Sequence, residues 1–139
     1  MKWFPALVLL NFVILFSSCN KTSCSAKNTQ VDTYDFNDSL YSPILLEWIP
    51  QSYELTVSYC TKSPESLRFK FLNTVSHDIS ADRNEEDNTF TIPMQELDLE
   101  SWKEVSGDGW FTESAVYVNY TMKNFDLEEF QGAGVGILK

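Results

Sequence analysis

Ala115-Val116-Tyr117-Val118-Asn119-Tyr120-Thr121-Met122 alternates at every step. Val116, Val118, Tyr120 and Met122 point one way, and Ala115, Tyr117, Asn119 and Thr121 the other. Successive side chains of an extended chain face opposite sides, so such a run is a half-buried β-strand. The same period recurs upstream. From Tyr53 to Tyr59 the odd positions are apolar and the even ones polar. Leu67-Arg68-Phe69-Lys70-Phe71 puts three large apolar residues on one face and two bases on the other. Thr89-Phe90-Thr91-Ile92 is a shorter candidate that Pro93 stops or places at an edge. Downstream, Gly134 to Leu138 reads as a last edge strand.

Between these runs the pattern changes. Ile44-Leu45-Leu46-Glu47-Trp48-Ile49 is a short apolar run, and Pro50-Gln51-Ser52 reads as a turn. Met94 to Val105 is rich in helix formers, which predicts a short helix over 98–105 ending before Gly107. Asp126 to Phe130 reads as a further helical turn. The expected fold is mainly β: an antiparallel β-sandwich or small barrel with one or two short helices.

The N-terminus is of another kind. Lys2 is followed by an apolar run from Trp3 to Phe16, broken only by Pro5 and Asn11, and then by Ser17-Ser18-Cys19. A basic start, an apolar centre and small residues before a cleavage point make a secretory signal. The run is shorter than the roughly 20 apolar residues a spanning helix needs. Phe16-Ser17-Ser18-Cys19 resembles the lipobox of bacterial lipoproteins, with Phe16 where Leu is usual. The resemblance implies cleavage after residue 18 and a diacylglycerol on Cys19. It also implies anchoring in the cell envelope. By the same resemblance, Asn20 after the cysteine, rather than an acid, implies the outer membrane, and the lack of an acidic tag over residues 20–24 implies its periplasmic face. The chain then divides into a signal peptide (1–18), a lipidated N-terminus with a polar tether (19–40) and one β-rich domain (41–139).

There are three cysteines, Cys19, Cys24 and Cys60. With Cys19 lipidated, two remain to pair in an oxidising compartment. Cys60 continues the polar face of the Tyr53–Tyr59 run, where a tail could reach it. A Cys24–Cys60 bond would restrain the unfolded chain by roughly 4 kcal/mol on the loop-entropy model. Two free thiols are the alternative.

Lys and Arg number 10 against 20 Asp and Glu, a formal charge of −10. That balance excludes phosphate-backbone binding, so no nucleic-acid partner is expected. It equally disfavours adhesion to anionic lipid by charge, so membrane attachment falls to the lipid anchor. Fourteen of the acids lie between residues 78 and 129. Such a block either steers a basic partner or is a solvated face.

The chain offers little catalytic chemistry. His77 is the sole histidine. Its neighbours Ser76 and Asp78 point away from it on an extended chain, so the run is no triad. An EF-hand loop starting at Asp82 would need Gly at position 87 and Glu at 93; Asp87 and Pro93 stand there. No enzyme activity, cofactor or metal is expected. The most suggestive binding feature is Ser106-Gly107-Asp108-Gly109-Trp110-Phe111, read as a tight turn with two aromatics behind it. Trp102, Asp108, Trp110 and Phe111 are therefore the candidate binding residues. Trp and Tyr suit this role because they offer a flat apolar face with a polar edge. The reading is a lipid-anchored envelope binding protein, an inhibitor or immunity-type protein for a basic enzyme. The alternative is a carbohydrate-binding or assembly accessory lipoprotein that uses exposed aromatics.

Overall fold

The computed structural model describes residues 24–70 and 72–139. The expected signal peptide (1–18) and Cys19 lie outside the described residues. Eight strands follow in order: β1 (Thr29–Ser42), β2 (Glu47–Cys60), β3 (Ser63–Lys70), β4 (Ile79–Asn84), β5 (Thr89–Glu96), β6 (Glu104–Phe111), β7 (Ala115–Lys123) and β8 (Glu129–Leu138). Each pairs antiparallel with the next, and β8 returns to β1, closing a barrel. The rim carrying the β1–β2 turn is called the upper one. The start of β1 and the end of β2 lie at the lower rim.

Alternation dictates what fills the barrel. Tyr34, Phe36 and Leu40 of β1, Leu55 and Val57 of β2, and Leu67 and Phe69 of β3 are buried. So are Phe90 and Ile92 of β5 and the Val116–Met122 face of β7. An eight-stranded barrel is just wide enough for side chains to fill it. Here β6 and β8 leave room by having glycines on the inward face. A Cβ at Gly132 would collide with the Tyr120 ring, and one at Gly109 with Phe90. Large rings from β5 and β7 thus lie over bare backbone on the neighbouring strands. Charged side chains such as Asp35, Glu54, Arg68 and Asp82 face outward, the reverse of the apolar-out pattern of a lipid-facing barrel.

Several expectations are corrected. Of the two architectures expected, the barrel is the one that forms, but β8 is no edge strand, because pairing with β1 removes the edge. Residues 29–40 are not tether: β1 occupies them. Its inward set, Tyr34, Phe36, Asp38 and Leu40, is interrupted by an acid and flanked by Asp, Asn and Ser, which masks the period. Pro50-Gln51-Ser52 is not a turn but part of β2; the turn is formed by residues 43–46 instead. Pro93 neither ends nor edges β5, since the strand passes through it at a register shift between Ile92 and Gln95. Such a bulge tolerates a residue without an amide hydrogen. No α-helix forms among the described residues. Residues 97–103 are loop, Glu104–Phe111 is strand, and Asp126 to Phe130 is a turn entering β8. Among the described residues the helical segments are two single-turn 3-10 pieces, Ala26–Asn28 and Leu72–Thr74.

A disulfide joins Cys24 to Cys60, with Cα atoms 5.8 Å apart. It fastens the segment before β1 to the end of β2, next to the Thr29–Cys60 strand pair. The amide of Thr61 donates to the Asn28 carbonyl beside it at 2.8 Å.

Candidate functional site

The four candidate residues do not form one site. Trp102 lies on the β5–β6 loop at the upper rim and meets Phe130 edge-on, ring centres 5.0 Å apart. It packs against the core there. Phe111 sits at the opposite, lower rim. It closes the barrel over Phe90, centroids 5.1 Å apart, with the Arg83 guanidinium 5.2 Å from its ring. Both aromatics plug ends of the core. Asp108 and Trp110 point outward from β6, because Gly107 and Gly109 take the inward positions. The expected tight turn at 106–111 is therefore a strand.

Strand register builds a face around those two outward residues. Trp110 pairs across with Tyr117, and their rings stack at 4.7 Å and 8°. The next row runs from Asp108 through Asn119 and Ala133 to Ser39 and Pro50. Asn119 donates to Asp108 at 3.3 Å. Below that row, Val135 and Asn37 lead to Ser52, whose hydroxyl donates to the Asn37 side-chain oxygen at 2.6 Å. Diagonally opposite, Tyr41 of β1 packs on Trp48 of β2, centroids 5.4 Å apart. Trp110 is 43 % exposed and Trp48 54 %, so both pairs stand proud of the wall. Between them the wall holds only short side chains. The result is a shallow groove of about 550 Å³ beside Trp110 and Tyr117, and a smaller one of about 260 Å³ reaching Trp48. Alternation already set Tyr117 and Asn119 opposite the core. Trp48, Tyr41 and the β1 residues were missed, because only the register brings them round the barrel to β6.

The barrel lumen holds a second polar group. Asp38 is buried, and one of its oxygens, Oδ2, accepts hydrogen bonds from the hydroxyls of Tyr53, at 2.8 Å, and Tyr120. Tyr53 in turn accepts from the Asn73 amide at 2.8 Å. Burial pushes the Asp38 carboxyl above the ordinary carboxylate value. It likewise raises Tyr53 and Tyr120, and holds Tyr34 at about 12. The other Asp38 oxygen, Oδ1, and Oε1 of Gln51 are buried without a partner among the described residues. Asp38 and Gln51 are directly opposed on β1 and β2.

Among the described residues no three His, Cys, Asp or Glu side chains gather in a metal-binding group. His77 is exposed in the loop before β4. Its neighbour Asp78 pairs instead with Arg68 at 3.7 Å. No described helix is long and apolar enough to cross a membrane.

No family model and no curated protein matches this chain. A crystal structure of a protein of unknown function from Bacteroides ovatus is similar to it, with a TM-score of 0.51 and 15 % identity. The likeness covers 78 % of this chain and 41 % of that one. At that identity it speaks for the fold alone.

Proposed function

We propose that this chain is a lipid-anchored envelope binding protein that grips a glycan on the outer wall spanning β6, β7, β8, β1 and β2. The observation that carries the reading is the Trp110–Tyr117 stack, held outward beside Asp108 and Asn119 over a floor of short side chains, both polar (Asn37, Ser39, Ser52) and apolar (Pro50, Ala133, Val135). A sugar ring has an apolar face, which an exposed Trp covers, and a rim of hydroxyls, which carboxylate and amide groups bond. The groove is open and shallow, which suits an extended chain rather than an enclosed small molecule. The lipobox-like Phe16-Ser17-Ser18-Cys19 supports the anchor.

Titrating purified residues 24–139 with a panel of envelope and dietary oligosaccharides, followed by Trp fluorescence, tests this. A binding glycan should shift Trp emission, and Trp110→Ala should weaken it by about 1–3 kcal/mol, the range for losing one aromatic stacking partner. Binding that survives both Trp110→Ala and Tyr117→Ala, or a silent panel, would sink the proposal.

A further inference from the structure

The upper rim carries an apolar patch that the glycan reading does not use. The β1–β2 turn presents Ile44, Leu45 and Leu46, and the β7–β8 turn presents Phe125 and Leu127. Because β8 pairs with β1, the two turns are neighbours. All five side chains are at least 58 % exposed. Two of them are also in a costly backbone state. Leu46 has φ 57° and Leu127 has φ 61°, the left-handed region that favours glycine or asparagine. At 75 % and 58 % exposure, neither leucine gains burial within the barrel to offset that conformation. Strain retained at an exposed turn points to a role outside the fold.

We infer that these two turns form a docking surface for a protein partner with an apolar cleft rimmed by basic residues. Charge selects the occupant. Glu47, Asp126, Glu128 and Glu129 flank the apolar tips. Lys103 and Lys123 are bases at the same rim, and both are already paired, Lys103 with Glu104 and Lys123 with Glu104 and Glu129. An acid-rimmed apolar patch repels an anionic lipid surface and repels a second copy of itself, while attracting a cationic protein. The patch also sits at the opposite end from the Cys24–Cys60 disulfide, so the N-terminal attachment leaves it open. The inference does not depend on glycan binding, since no residue of the Trp110 groove is involved.

Site-specific photo-crosslinking in the producing cells tests it, with the full chain carrying the reactive residue at position 45 or 125 and, as control, at position 91. The expected result is a crosslink from 45 and 125, absent from 91, to one protein of high isoelectric point. Once purified, that protein should bind the barrel more weakly as salt rises. Leu45→Ala or Phe125→Ala should weaken it about thirtyfold, as for a central contact residue, while Trp110→Ala leaves it unchanged. Leu46→Gly with Leu127→Gly adds a separate readout: the barrel should melt higher, yet lose the partner. Crosslinks only to lipid, to a second copy, or equally from position 91 overturn the inference. So does a Gly variant that binds as well as the native chain.

Discussion

Asp38 is the residue whose surroundings make the sharpest demand. A carboxylate buried among tyrosines has no cation to offset it, so its neutral form is favoured. A proton on Oδ1 would let Asp38 donate to Gln51 Oε1. One hydrogen would then serve both unpartnered acceptors. The folded state holds this proton more tightly than the unfolded chain, whose value is the ordinary 3.8. The stability it contributes is therefore complete below about pH 4 and declines as pH rises through the raised folded value. Asp38→Asn keeps the shape and supplies an N–H donor toward Gln51. The expected outcome is a variant matching the native barrel at pH 3 and exceeding it by about 1–3 kcal/mol at pH 7, measured by urea unfolding at both pH values. Asp38→Ala, which strands two tyrosine hydroxyls, should instead destabilise at both. None of this was legible in the sequence. Asp38 lies in a run, Asp35-Phe36-Asn37-Asp38-Ser39, whose polarity suggested a solvated tether.

At the scale of the element, β8 shows how far alternation carries and where it stops. β7 reads at once, because its inward positions are Val, Val, Tyr and Met. After Phe130 at the rim, the next inward positions of β8 are Gly132, Gly134 and Gly136, which have no side chain and give no hydrophobic signal. Their spacing is nonetheless that of a strand, and their role emerges only opposite the rings they accommodate. Gly107 and Gly109 likewise suggest a turn in isolation; in β6, Gly109 seats the Phe90 ring and Gly107 admits the β7 backbone at Asn119 and Tyr120. Gly132→Ala sets a methyl against the Tyr120 ring and should cost about 1–3 kcal/mol or more by overpacking. Chemical denaturation would report the loss. Adding Tyr120→Phe should not restore it, since the clash is with the ring itself and not with its hydroxyl. A Gly132→Ala barrel as stable as the native one would contradict this account of why β8 lacks side chains.

For the whole molecule, closure has a cost and a benefit. The long-range pairing of β1 with β8 demands that distant segments meet, which slows folding. In return every strand has a paired neighbour on each side, which leaves little edge for a partner to extend and favours recognition through side chains. The Cys24–Cys60 bond ties the start of β1 into this closed unit. Cys24→Ser with Cys60→Ser should lower unfolding free energy by roughly 2–4 kcal/mol, read by denaturation with and without reductant. Only the native chain should respond to the reductant. Cysteine parity and the polar side of β2 pointed to this pairing. The extent of the tether did not follow, because a strand with polar outward residues and an interrupted inward set resembles linker. That difference sets a distance. With lipid on Cys19, only residues 20–23 separate the anchor from the disulfide, a mooring line of about 18 Å when taut. A tether running to residue 40 would have allowed about 75 Å. The lower rim would then ride against the lipid headgroups, and the barrel could scan only its immediate surroundings. Reducing the disulfide would let out slack to Thr29, roughly doubling the reach.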